Sequence, residues 1–101
     1  MYYIYIIYSV AANLYYVGYT SDPQLRLIEH NNNPHNTFTS KHRPWMMKAL
    51  FVSGNSESVT INIERFIKKQ KSRKLIEMLC NPDFIPSGKL AQLVRVPHMR
   101  D

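Results

Sequence analysis

The stretch Tyr2-Tyr3-Ile4-Tyr5-Ile6-Ile7-Tyr8-Ser9, answered by Leu14-Tyr15-Tyr16-Val17-Gly18-Tyr19-Thr20, decides how this chain reads. Both runs are rich in aromatic and β-branched residues, which suit a pleated, buried strand. Between them Ala11-Ala12-Asn13 reads as a turn, because Asn tolerates the left-handed backbone that such turns require. The pair therefore predicts an antiparallel hairpin with its tyrosines side by side. Gly18, inside the second run, marks a bulge or a close approach to the backbone.

Beyond the hairpin, Ser21-Asp22-Pro23 is a helix start, a capping residue followed by proline at the first helical position. The helix runs through His30, with Leu25 and Ile28 expected to face the core. Arg26 and His30, four apart, share another face. Asn31-Asn32-Asn33-Pro34 ends it, and residues 31–44 read as a polar, basic surface loop. Residues 45–52 predict a third strand and Gly54-Asn55-Ser56 a turn. Residues 57–70 predict a helix with Val59, Ile63, Phe66 and Ile67 on its apolar stripe and Glu64 beside that stripe. Ser72 caps a further helix that Asn81-Pro82 stops. Pro86, Gly88 and Pro97 break up the tail, in which 90–96 reads as a short packed segment.

The chain's 101 residues fit one domain with one core. The order strand, strand, helix, strand, helix, helix gives an α+β fold with a small three-stranded sheet. No apolar stretch reaches membrane-spanning length. The first dozen residues lack a basic leader and read as a core strand instead of a signal peptide. A single cysteine, Cys80, leaves no internal disulfide and fits a reducing cytoplasm. The four histidines are scattered in no zinc pattern. The net charge of +6 favours a polyanionic partner, nucleic acid first.

A phosphodiester is cut by a deprotonated water, a cation facing the developing charge, and help for the leaving oxygen. Phenol hydroxyls at Tyr5 and Tyr16, the guanidinium of Arg26 and the carboxylate of Glu64 make such a kit. A single carboxylate suffices for Mg²⁺ when waters and substrate oxygens complete its shell. The fork of Arg26 suits a phosphate. A tyrosine titrates near pH 10, so a base role needs a nearby cation. Taken singly, each residue has a plainer explanation. Strand tyrosines pack, helix arginines and histidines are solvated, and Glu64 pairs with Lys68 one turn on. The order and spacing of the set are what those explanations leave unaccounted for.

The residues Tyr3-Ile4-Tyr5, Tyr16-Val17-Gly18-Tyr19-Thr20, Arg26-Leu27-Ile28-Glu29-His30-Asn31 and Glu64 with Phe66-Ile67-Lys68 resemble the GIY-YIG nuclease superfamily, and most closely its short branch, similar to the nuclease domain of bacterial excision-repair proteins. The resemblance covers roughly residues 2–79. It implies a nuclease domain over 1–80, with 81–101 as an extension packed on or trailing from it. It also implies two active-site tyrosines at Tyr5 and Tyr16, the catalytic arginine at Arg26, and a nucleophile-assisting residue at His30. Glu64 would be the ligand for Mg²⁺ or Mn²⁺. Tyr5 is the expected general base, with Tyr16 or His30 relaying. The glycine of the first motif is Tyr3 here. Where many members carry an asparagine beyond the glutamate this chain has Ile76, and its nearest asparagine is Asn81. Lys68, Lys69, Lys71, Arg73 and Lys74, with Lys41 and Arg43 in the loop, are the expected phosphate contacts, giving affinity without sequence preference. The expectation is a divalent-metal-dependent DNA endonuclease, structure-directed or weakly specific, in repair or recombination. RNA stays open as substrate, and a partner protein as a source of specificity. The rival is a nucleic-acid-binding module of the same fold without turnover.

Overall fold

The computed structural model describes residues 1–34 and 37–97, so His35 and His98 lie outside it. Strands β1 (Tyr2–Ser9) and β2 (Leu14–Thr20) form the expected antiparallel hairpin, with Tyr5 opposite Gly18 and Ile7 opposite Tyr16. Asn13 adopts φ 54° in the turn, and its side-chain oxygen accepts from the Tyr8 hydroxyl at 2.6 Å. Strand β3 (Met46–Gly54) pairs with the other side of β1, and β4 (Val94–Arg95) pairs with β3. All pairings are antiparallel, in the order β2-β1-β3-β4. The sheet thus has four strands where three were expected. A two-residue strand leaves no alternation to read, and Pro86, Gly88 and Pro97 around it argue for loop.

Three helices follow the predicted starts. Helix α1 (Pro23–Asn32) is capped by the Asp22 carboxylate, α2 (Glu57–Lys69) by the Ser56 hydroxyl and α3 (Arg73–Cys80) by the Ser72 hydroxyl. Each cap accepts a backbone N–H that the helix cannot satisfy itself, and contributes about 1 kcal/mol.

Strand alternation sorts the core into two clusters. Ile4, Ile6, Val17, Ala49 and Phe51 face α2 and α3, and pack with Ile63, Ile67 and Leu79. Leu90 and Leu93 of the tail are buried in that same cluster. Tyr5, Ile7 and Leu50 point to the opposite face, where they meet Trp45, Tyr16 and Leu27 of α1. The helix reading is corrected on two points. Leu25 and Ile28 are 50% and 57% exposed, and Val59 stays at the surface. The inward residues of α1 are Arg26, Leu27, His30 and Asn31, a stripe that carries only one aliphatic side chain. The sheet face beneath it presents phenol groups, so polar partners turn inward and aliphatic ones are left outside.

The loop after α1 is tied back by hydrogen bonds and contains a 3₁₀ turn at Thr39–His42. Asn31 exchanges two bonds with the Trp45 backbone, and the Trp45 indole N–H donates to the Thr39 carbonyl at 2.7 Å. Arg43 donates to the carbonyls of His30 and Asn33. Across the molecule, Arg73 donates to both the carbonyl and the side-chain oxygen of Asn13, and its guanidinium lies over the Tyr15 ring. No helix among the described residues is long and apolar enough to cross a membrane.

Candidate active site

Tyr5 and Gly18 face each other across the hairpin, and the missing side chain of Gly18 is what lets the phenol lie where it does. A Cβ built on Gly18 would stand 2.3 Å from the Tyr5 hydroxyl oxygen and 2.5 Å from Cζ. This is the close approach that a strand glycine predicts. Tyr5 is thereby held almost fully buried, with its hydroxyl lying over the β2 backbone.

Three groups meet that hydroxyl or stand near it. His30 Nε2 lies 2.7 Å away, and Arg26 donates to the phenol oxygen. The Tyr16 ring is edge-on to the His30 ring, with centroids 5.3 Å apart. Arg26, which can only donate, acts on the phenol oxygen, and with both groups uncharged the arrangement we adopt has Tyr5 donating its proton to His30 Nε2. His30 Nδ1 must then carry the imidazole proton, which points at Thr39 Oγ1, 2.9 Å away. The Thr39 hydroxyl accepts that proton in this arrangement, in which Nε2 is open to a proton from Tyr5.

Burial dominates the titration of this pair. It pushes the Tyr5 hydroxyl up to about 12, against the pull of Arg26. It holds His30 down at about 4, where Arg26 and Arg43 add to the same effect. At neutral pH both groups are uncharged, Tyr5 with its proton and His30 with Nε2 free to accept one.

Arg26 pairs with Glu29 at 3.1 Å and lines a cleft of about 180 Å³ together with Tyr16, Glu29, His30, Phe38 and Thr39. Glu64 comes from α2, on the other face of the sheet, but β2 is the sheet's edge. Glu64 acts electrostatically on Tyr5 and on Tyr19, and its partner Lys68 reaches past the edge to stand 5.1 Å from the centroid of the Tyr16 ring. The Glu64–Lys68 ion pair spans 3.4 Å, and the Glu64 side chain is only 16% exposed. Tyr5, Tyr16, Arg26 and His30 thus come together across the hairpin and α1, and Glu64 approaches from α2 near enough to act electrostatically on Tyr5.

The donor set bears on a metal. Among the described residues no three His, Cys, Asp or Glu side chains cluster as a protein-built cage. A single carboxylate, 16% exposed, fits a hard cation that keeps its waters and takes the remaining oxygens from a phosphate, once Lys68 gives up its ion pair. It does not fit a thiolate- or imidazole-bound transition metal.

The expected phosphate contacts divide. Lys68 and Lys71 line a groove beside Tyr16, together with Ile76, which stands where the resemblance places an asparagine. Lys41, Lys69 and Lys74 are exposed and have no carboxylate partner among the described residues. Arg43 and Arg73 are held by backbone carbonyls, and Arg73 also by Glu77. Asn81 caps α3 and accepts from the Asp83 N–H. Sequence reasoning missed Thr39 and Phe38. Both sit in an irregular loop, where no periodicity points at them.

No curated protein matches the chain significantly. The family model of the GIY-YIG catalytic domain matches residues 1–77, a span that contains Tyr5, Tyr16, Arg26, His30, Thr39 and Glu64. The chain belongs to the GIY-YIG superfamily, whose members are in general endonucleases that act on DNA.

Proposed function

We propose that this protein is a divalent-metal-dependent DNA endonuclease, directed by DNA structure more than by sequence, and at work in repair or recombination. The observation that carries the reading is the buried Tyr5–His30 hydrogen bond braced by Arg26 and Thr39. A buried phenol needs a partner in any case, but here the partner is an imidazole on the wall of the same cleft that Arg26 lines.

Glu64 would hold the cation, Mg²⁺ or Mn²⁺, which when bound would supply positive charge to the scissile phosphate. Arg26 lies at the cleft wall, where its remaining donors face an incoming phosphate oxygen. Tyr5 takes a proton from the attacking water while passing its own to His30 Nε2, the hydroxide adds to phosphorus, and the P–O bond breaks with the leaving oxygen taking a proton from solvent water. Taken separately, a phenol near 12 and an imidazole near 4 are poorly matched to proton transfer at neutral pH. They act as a pair. Negative charge arriving at the phosphate is what allows His30 to hold a proton beside it. Tyr16 closes the cleft and packs the far side of the His30 ring.

The test is cleavage of duplex, nicked and branched DNA with Mg²⁺ or Mn²⁺, comparing wild type with Glu64→Ala and Tyr5→Phe. Both variants are expected to lose at least about a hundredfold in rate while still folding cooperatively, with Tyr5→Phe somewhat less stable because it leaves His30 Nε2 without its partner. Equal cutting by wild type and Glu64→Ala removes the proposal, and so does binding of DNA without cutting by the wild type.

A further inference from the structure

Beside the cleft, between β2 and the turn joining α2 to α3, lies a second groove of about 430 Å³. Tyr16 and Phe38 line both spaces, so the two adjoin across a shared aromatic wall. Phe38 is the unusual member. It is a large apolar ring, 49% exposed, lying on the rim nearly parallel to Tyr16, with 27° between planes and 6.1 Å between centroids. The rest of the lining includes Lys68, Lys71 and Arg73 and contains no carboxylate. Lys71 holds φ 48°, a left-handed conformation that a glycine would adopt without strain, yet the position carries a long cationic side chain lining the groove.

We infer that this groove takes one unpaired nucleotide of the substrate strand, its base laid against Phe38 and Tyr16 and its flanking phosphates against Lys68 and Lys71. The inference rests on the nuclease reading above and narrows its substrate to DNA with a single-stranded segment next to the cut. An aromatic face with cations around it matches the two faces of a nucleotide, a flat π-surface and a charged backbone. Paired bases in a duplex keep their faces stacked on each other and offer none to Phe38. An unpaired base is free to turn out and stack. The volume lies within the range of about 300–1,000 Å³ usual for small-ligand pockets. The shared Tyr16 and Phe38 make the groove a neighbour of the cleft that Arg26 lines.

The experiment is fluorescence anisotropy in EDTA, so that nothing is cut, with three probes: a short oligothymidine, the same backbone with abasic sites at its centre, and a matched duplex. Wild type is expected to bind oligothymidine more tightly than the abasic strand. Phe38→Ala should weaken oligothymidine by about tenfold and leave the other two within about twofold. Phe38→Trp should restore the preference, which separates stacking from loss of fold. Lys71→Ala should weaken all three and flatten the salt dependence by roughly 0.7–0.9 in log–log slope. Equal affinity for oligothymidine and the abasic strand overturns the inference, as does a Phe38→Ala loss that is the same on all three probes. A wild type that cuts DNA with Mg²⁺ but shows no base preference overturns this assignment alone. One that neither cuts nor binds any probe overturns the nuclease reading and this inference with it.

Discussion

Gly18 and His30 illustrate how single residues set this site. Gly18→Ala puts a methyl carbon 2.3 Å from the Tyr5 oxygen, and Tyr5 is too tightly packed to step aside. The variant is expected to lose roughly 1–3 kcal/mol of stability by urea unfolding. Its cleavage should fall further than that loss explains, because the phenol leaves His30. His30 gives a pH signature. Its folded value of about 4 lies below the ordinary 6.5, so the folded state favours the neutral ring. The resulting stabilisation is complete above about pH 6.5 and is lost as pH falls toward 4, amounting to roughly 3 kcal/mol over the whole window. Melting temperatures at neutral pH and at pH near 4 should therefore differ less in His30→Gln than in wild type. The elements that carry Tyr5, Tyr16, Arg26 and Glu64 were legible from sequence, because each is regular and has recognisable neighbours. Thr39 was not. A hydroxyl in a polar loop looks like any other until the fold brings it to an imidazole.

Helix α1 shows where pattern reading goes astray. Leu25 and Ile28 looked like its core face because they are aliphatic, yet the inward stripe is mostly polar. Hydrophobic periodicity identifies the buried face only where the surface to be covered is itself apolar. Here α1 covers Tyr5 and Tyr16, and its inward side chains match hydroxyls. Strand β4 escaped for a different reason. Its two residues pair with Phe51 and Val52, and that partnership is long-range. By contrast, the hairpin and the three helix starts were legible because their signals are local, in turn chemistry and capping hydroxyls. The α2–α3 turn carries its own prediction. Lys71→Gly relieves a left-handed lysine and should raise stability by about 0.5–1 kcal/mol, read as a higher denaturant midpoint at unchanged slope. The same change should weaken DNA binding, so that stability and affinity move in opposite directions.

At the scale of the whole molecule, excess positive charge and the order of elements pointed to nucleic acid and to this fold. They did not show that the tail belongs to the core. Leu90 and Leu93 are buried against Ile63, Ile67 and Leu79. Arg95 donates to the carbonyls of Leu79 and Asn81, with its guanidinium over the Phe51 ring. The segment after Asn81 is thus structural support for the sheet whose other edge carries the cleft. Opposite in position, and similar in kind, is the bond from Arg73 to the hairpin turn at Asn13. It joins parts of the chain sixty residues apart, so it cannot form until the sheet and α2 have already assembled. Arg73→Ala should consequently leave the refolding rate near wild type and accelerate unfolding, seen as a shift of one chevron arm only. The clasp is a late-closing latch. On that prediction it sets how long the folded molecule persists more than how fast it forms.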